Sequence, residues 1–383
     1  MFAPLIEFIR DHYRSNDPIP LHAPVFGGHE REYLLKTIDS TFVSSVGPFV
    51  DRFEREIEAY TGSPRAVATV NGTAALHIAL KLAGVAPGDL VLTQPLTFVA
   101  TCNAIAYCGA EPVFVDVDRH TLGLSPTALE AWLEEHARLD TDGICRSRTD
   151  HRVLRCCVPM HTFGFPVDLG GLVEVCARWN LTIVEDAAES LGSLYHGRHT
   201  GTFGLLGTLS FNGNKIITTG GGGMILANEP LAARARHLTT TAKTPHPYEY
   251  VHDEIGYNYR LPNLNAALGC AQLEQIETFV AAKRALADSY AALLADSPLQ
   301  FVREPAGCRA NYWLNTVICE TPAQRDALLE HTNAQGVMTR PIWRLMHKLP
   351  MYAHCHHGAL DNAECLEARV VNLPSSVLPG DSR

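Results

Sequence analysis

Lys215 has the setting in this chain that most invites covalent chemistry. It lies in Ser210-Phe-Asn-Gly-Asn-Lys-Ile-Ile-Thr-Thr-Gly-Gly-Gly-Gly223, behind a hydroxyl and two amides and ahead of four glycines. Leu205, Leu206, Leu209 and Phe211 precede it, and Ile216, Ile217 and Met224-Ile-Leu226 follow. That pattern predicts strand, tight turn, strand, with the lysine held at an interior turn. A lysine in apolar surroundings loses solvation of its charge, which lowers its pKa and frees the amine to attack a carbonyl. A Schiff-base lysine of this kind needs a phosphate site, a carboxylate for a ring nitrogen and an aromatic face for the ring.

Candidates for each are present. Gly72-Thr73 follows a short β-branched strand and opens an Ala- and Leu-rich helix that closes on Gly84. Such a helix start offers free N–H groups and a positive dipole end, so it suits an anion, although a capped helix with no ligand reads the same way. Phe98 stands where a strand gives way to a helix and could stack on a ring; a core phenylalanine is the plainer reading. Leu181-Thr-Ile-Val-Glu-Asp186 is an apolar strand ending in two carboxylates, and Asp186 at its C-terminal end needs a cation, either a protonated ring nitrogen or an arginine. Arg340-Pro-Ile-Trp-Arg-Leu-Met-His347-Lys348 gathers three cations and a histidine suited to a diphosphate. Ser44, Ser45 and Gly47 could line a substrate mouth or simply turn between helices. His354, Cys355, His356 and His357 lack a paired ligand set at a suitable spacing, so no metal is expected.

Strand and helix signals alternate through most of the chain, as in an α/β protein with a parallel sheet. They begin, within residues 1 to about 25, with a short amphipathic helix carrying Leu5, Ile6, Phe8, Ile9 and Tyr13 and a segment broken by Pro18, Pro20 and Pro24, and continue with helices over 29–41 and 50–61. The stretch 125–150 reads as a helix and a charged, solvated loop, and the segment after Gly256-Tyr-Asn258-Tyr-Arg260 as one long helix to about Leu294. The texture then shortens, which gives an N-terminal segment (1–45), a large domain (46–260) and a connecting helix with a small C-terminal α+β domain (261–383).

At 383 residues with a net charge of −10, the chain is long enough for a large core, and its charge argues against a general nucleic-acid binder. No apolar run approaches a membrane span. The N-terminus lacks an export signal, so a cytoplasmic protein is expected, with its eleven scattered cysteines mostly buried thiols.

Taken together, these segments resemble the DegT/DnrJ/StrS family of sugar aminotransferases, which are pyridoxal-phosphate (PLP) enzymes of the aspartate-aminotransferase-like fold type I. Asn-Gly-Thr-Ala-Ala-Leu, Thr-Phe-Val-Ala-Thr-Cys-Asn-Ala, Glu-Asp-Ala-Ala-Glu-Ser-Leu-Gly-Ser, Ser-Phe-Asn-Gly-Asn-Lys and Gly-Tyr-Asn-Tyr-Arg-Leu occur in the family's order. The resemblance implies that Lys215 is the internal-aldimine lysine and proton shuttle. Asp186 would pair with the ring nitrogen, Phe98 would stack on the ring, and Gly72, Thr73 and Ser210 would hold the phosphate. Asn258, or its rival Arg260, would complete that phosphate site from the other subunit of a homodimer. Glu189 departs from the His or Gln of many members; facing a ring hydroxyl it would have to stay protonated, and otherwise it would point to substrate. The texture is closest to the legionaminic-acid and bacillosamine branch, which implies L-glutamate as donor and a UDP-linked 2-acetamido-4-keto-6-deoxy sugar as acceptor, with Ser44, Arg340 and His347 toward the substrate.

Three other functions fit less well. Gly220–Gly223 follow a lysine turn and do not join a strand to a helix, as a dinucleotide fingerprint must. Members that dehydrate sugars carry histidine in place of the lysine. A non-catalytic homologue would have no need of the full residue set.

Overall fold

The computed structural model describes residues 2–378. Helices α1 (Ala3–Tyr13), α2 (Glu30–Asp39) and α3 (Pro48–Thr61) lead into β1 (Arg65–Thr69) and α4 (Gly72–Leu82). Then come β2 (Leu90–Thr93), α5 (Val99–Tyr107), β3 (Glu111–Phe114), α6 (Pro126–His136), β4 (Leu154–Val158) and α7 (Leu169–Arg178). The strands β5 (Thr182–Asp186), β6 (Leu206–Ser210) and β7 (Gly223–Ala227) precede α8 (Glu229–Thr239). Together the strands make one sheet in the order β1-β7-β6-β5-β4-β2-β3. It is parallel from β6 to β3, while β7 runs antiparallel to both β1 and β6.

The strands are mostly apolar, as expected where helices cover both faces. Alternate residues go to opposite sides. Val67, Val91, Val184 and Ile225 pack with Leu76, Ile105 and Leu238 on one side. Leu92, Val113 and Ile183 pack with Leu129, Leu133 and Leu172 on the other. On α4 the apolar residues meet this layer, and the Asn71 side chain caps the helix by accepting from Ala74 N at 2.7 Å.

The expected long helix after residue 256 is two helices, α9 (Asn263–Leu273) and α10 (Ile276–Leu293). The break at Glu274-Gln275 is held by side chains: Glu274 pairs with His29 and Arg52 and accepts from Tyr33, and Gln275 donates to Glu30. Contacts to α2 and α3 thus override a local preference for helix. The charged loop expected within 125–150 contains a short hairpin, Ala137–Leu139 with Cys145–Ser147, and Arg146 binds Asp140 and Asp142 across its turn.

A second, smaller sheet has four strands, β8 (Gln300–Phe301), β9 (Asn315–Ile318), β10 (Arg340–Pro341) and β11 (Val370–Leu373), in the order β8-β9-β11-β10, and α11 (Pro322–Ala334) lies between β9 and β10 in the chain. The inner strand β11 was not read from the sequence. N-terminal residues Leu5, Ile6 and Ile9 pack here, against Tyr290, Leu328 and Val371. The eleven cysteines are free, and all but Cys308 and Cys365 are buried. No helix among the described residues is long and apolar enough to cross a membrane.

The buried stripe of α10 (Phe279, Val280, Leu286, Ala287, Tyr290) includes Lys283, whose Nζ donates to the carbonyls of Trp313 at 3.1 Å and Ser375 at 2.5 Å. Burial pulls this amine down from 10.5 to about 7. Between those values the unfolded chain binds more protons than the folded one, so this group makes folding more favourable as pH rises. Denaturant unfolding at increasing pH across that window should therefore show wild type gaining on Lys283→Met by about 1.4 kcal/mol for each pH unit while the linkage is fully developed. Parallel pH profiles for the two proteins would contradict this account.

Candidate active site

Strands β1, β2, β4, β5 and β6 all point the same way, so the segments leaving their C-terminal ends meet at one edge of the sheet. This is where open α/β sheets bind ligands. Lys215 lies in the connection from β6 to β7, which Phe211 closes on itself by donating to Gly222 O and accepting from Thr219 N. Asn265 on α9 pins the same connection by donating to Thr219 O at 2.7 Å.

The expectation of an apolar seat for the lysine is corrected. Lys215 Nζ donates to Glu189 Oε1 at 3.1 Å and lies 4.1 Å from the centre of the Trp313 ring. The Glu189 side chain is 1% exposed and that of Lys215 12%. Both neighbours come from elsewhere in the chain, the loop after β5 and the segment just ahead of β9, so the flanking sequence of Lys215 could not reveal them. Glu189 Oε2 accepts from Phe163 N at 2.9 Å. Burial raises the Glu189 pKa above the usual carboxylate range, against the opposing pull of the Lys215 charge and the Phe163 N–H. Glu189 therefore points at the lysine, an arrangement the sequence had not offered.

Asp186 ends β5 with 5% exposure. Its Oδ2 accepts from Thr101 Oγ1 at 2.7 Å and its Oδ1 from Ala188 N at 3.2 Å. Among the described residues no arginine, lysine or histidine pairs with it, so the arginine reading fails and a buried negative charge is left for a cationic ligand atom. Its neighbour Glu185 serves the fold. It accepts from the N–H groups of Gly201, Phe203 and Gly204 and contacts His161 Nε2 at 3.1 Å. Burial alone would raise its pKa, but these bonds hold it below the usual range.

The first turn of α4 is open. Asn71 takes the N–H groups of Ala74 and Ala75, which leaves those of Gly72 and Thr73 without an acceptor inside the helix. The hydroxyls of Thr73 and Ser210 have no protein partner among the described residues. Close approach dictates the glycines here. A Cβ on Gly72 would stand 2.8 Å from Ser210 Cβ, and one on Gly223 would stand 2.5 Å from the Asn71 carbonyl. The structure thus brings Gly72, Thr73 and Ser210 together at a helix N-terminus, the arrangement an anion requires.

Phe98 is 49% exposed and sits just ahead of α5, its ring 6.4 Å from that of Trp343. The core reading of this residue is therefore overturned. Trp343, from the Arg340-Pro-Ile-Trp segment, also packs on Phe163, with ring centres 4.9 Å apart and the planes tilted by 41°. Thr101, Trp313 and Trp343 were not singled out from the sequence; the only signal for any of them was a tryptophan at a strand start or in a basic run.

Arg260 pairs backbone to backbone with Thr69 at the end of β1, beside the α4 start, whereas the other candidates have no such link among the described residues. Asn258 is exposed and has no side-chain partner among the described residues, and the half-buried Arg260 has its Nε unpaired. Ser44 is exposed and its carbonyl accepts from Asn263 N at 2.6 Å, one of several bonds by which Asn263 pins the 42–50 bend. Arg340 is exposed on β10. His347 packs against Phe114 and His357 and stands 3.8 Å from Glu364, so nothing ties it to the Lys215 cluster. Lys348 is paired with Glu367 at 2.5 Å. The fold also draws Glu111 to His354 and Cys355, but that carboxylate is already paired with Arg152 at 3.1 Å.

Known proteins resemble this chain in sequence and in fold. A model described as the DegT/DnrJ/EryC1/StrS aminotransferase family matches residues 25–380. Over 358 residues the chain is 37% identical to the GDP-perosamine synthase of Escherichia coli O157:H7, with 93% of each chain covered. It is 36% identical over 365 residues to the putative pyridoxal phosphate-dependent aminotransferase EpsN of Bacillus subtilis (strain 168), with 93% of this chain and 90% of that one covered. The crystal structure of the aminotransferase TlmJ from Streptoalloteichus hindustanus superimposes with a TM-score of 0.84 at 29% identity, over 94% of this chain and 93% of that one. The fold is accordingly the aspartate-aminotransferase-like fold type I expected from the sequence, and the chain belongs to the DegT/DnrJ/EryC1/StrS aminotransferase family.

Proposed function

We propose that this protein moves an amino group from L-glutamate to C4 of a nucleotide-linked 4-keto-6-deoxy sugar. The observation that carries the reading is the Lys215 amine, 3.1 Å from Glu189, at the same sheet edge as an uncompensated Asp186 and the open first turn of α4. The cofactor is pyridoxal 5′-phosphate, which when bound supplies the electron sink that makes amino exchange possible. The donor set fits it. The N–H groups of Gly72 and Thr73 and the hydroxyls of Thr73 and Ser210 would take its phosphate. Asp186 would face the ring nitrogen and hold its proton, and Phe98 would cover a ring face.

Lys215 would then take a proton from the donor's carbon and return one at the sugar carbon, with Nζ as the carrier. Glu189 orients that amine by accepting its hydrogen bond. Arg340 and Arg344, exposed and without side-chain partners among the described residues, are the groups we assign to the diphosphate, with Ser44 toward the mouth. His347 is not carried forward into that set.

The site is shared in this reading, with Asn258, or Arg260, reaching the phosphate of a second copy. Large exposed apolar residues support such a partner: Val46 is 70% exposed, Tyr248 and Tyr250 83%, and Ile255 84%. The UDP-linked 2-acetamido sugar expected from the sequence competes with a GDP-linked one, and the name of the 37% identical relative favours GDP.

Assays with L-glutamate and the UDP- or GDP-linked 4-keto sugar test this reading, together with light scattering for a dimer mass. Turnover of the GDP-linked ketone, with weaker or no turnover of the UDP-linked one, is the expected result. Absence of amino transfer to either, in a protein that binds the cofactor, would overturn it.

A further inference from the structure

The Lys215 amine is held from below by a tryptophan whose own position is over-determined. Trp313 Nε1 donates to Asn214 O at 2.6 Å, which ties the indole to the residue just before the lysine. Its backbone N donates to Asn311 Oδ1 at 2.8 Å, and its carbonyl accepts from the buried Lys283 at 3.1 Å. Asn311 Nδ2 in turn donates to Glu189 O and Leu191 O, each at 2.9 Å. One short segment just ahead of β9, Asn311–Trp313, thus grips the backbone of the acid and supplies the face beneath the base.

The backbone there is strained. Tyr312, between these two residues, has φ 47°, and Phe163, whose N–H binds Glu189 Oε2, has φ 56°. Non-glycine residues keep such angles only where their surroundings hold them, and they cluster at functional sites. A carboxylate alone attracts an amine without directing it, because the four-carbon stem of lysine has many rotamers. An indole face adds a second, directional contact, since the ring's negative face attracts the ammonium.

We propose that Trp313 is a positioning residue for Lys215: its indole face seats the amine whenever that amine is free, and Lys283 and Asn311 lock the seat. The proposal rests on the aminotransferase reading, but its geometry belongs to the cofactor-free chain and can be tested there. Besides Glu189, the ionisable groups near this seat include Asp186, His22 and Lys283. Burial, then the charges of Lys283 and Lys215, holds His22 well below its ordinary range.

The test is competitive acetylation of cofactor-free protein with limiting acetic anhydride. Lys215 modification is read by mass spectrometry against exposed Lys36 as internal standard, at one pH near neutral. Trp313→Phe keeps an aromatic face without the Nε1 bond, and Trp313→Leu keeps apolar bulk without the face. Lys215 should label at close to the wild-type rate in Trp313→Phe and about fivefold faster in Trp313→Leu, the size of one cation–π contact. Lys283→Met should raise the rate by a smaller factor. Equal rates in wild type and Trp313→Leu would overturn the seat, and equal acceleration in Phe and Leu would reduce it to simple shielding and overturn it as well. An unchanged rate in Lys283→Met would overturn the lock. Borohydride trapping of cofactor on Lys215 in wild type tests the aminotransferase reading separately, so the two failures are distinguishable.

Discussion

Lys215→Arg should lose amino transfer by roughly 10³-fold or more, the scale of a positioned proton-transfer group, while the protein stays folded. Arginine keeps a positive charge for Glu189, so the buried carboxylate is not left unpaired. It is permanently protonated, however, and has neither a free amine to attack a carbonyl nor a lone pair to take a proton. The variant should still bind the cofactor through the phosphate groups at the α4 start, yet borohydride should no longer fix the cofactor to the chain. Steady-state rates with a 4-keto sugar and glutamate give the first readout, and mass after reduction gives the second. Activity within about tenfold of wild type, a loss of only ~1.4 kcal/mol, would place the catalytic amine elsewhere.

Asp186→Asn carries the second large expected effect. The side chain is buried with Thr101 and the Ala188 N–H as its partners, and it has no cation. An asparagine fits the same space and still accepts a hydrogen bond, so the fold should tolerate it. What disappears is the charge that would keep a ring nitrogen protonated. Removing one partner of a buried ion pair costs about 3–5 kcal/mol, so a rate loss of roughly 10²- to 10⁴-fold is expected if the pair is used fully in the reaction. The absorbance of bound cofactor should shift as the ring loses its proton. A variant with unchanged spectrum and rate would mean that Asp186 is structural.

The two substitutions probe different things. Lys215 acts through a proton and Asp186 through a fixed charge, so only the lysine variant should abolish covalent trapping.

Much of the site was legible because local chemistry is written locally. A strand followed by Gly72-Thr73 and an Ala-rich helix makes an anion site wherever it folds, since helix geometry alone frees those N–H groups. The apolar run ending at Asp186 places that carboxylate at a strand's C-terminal end for the same reason. The β6–β7 pairing around Lys215 followed from two apolar flanks and a glycine-rich link, and antiparallel register then placed Ser210 opposite Gly223.

The break between α9 and α10 and the inner position of β11 were not legible, because both depend on contacts with distant segments. The same holds for Phe98. Its sequence reads equally as core or as surface, and only the docking of α5 left it half exposed.

For Lys215 the division is sharpest. The sequence by itself determined that a lysine would sit in a turn at the ligand edge of an α/β sheet, near an open helix start and an aspartate. It also determined, wrongly, that the surroundings of that lysine would be apolar. Only the tertiary structure decided its partners, Glu189 from the loop after β5 and Trp313 from the segment just ahead of β9. Charge and π-contact act through space over a few ångströms, and no pattern along the chain encodes which remote residues the fold will bring that close.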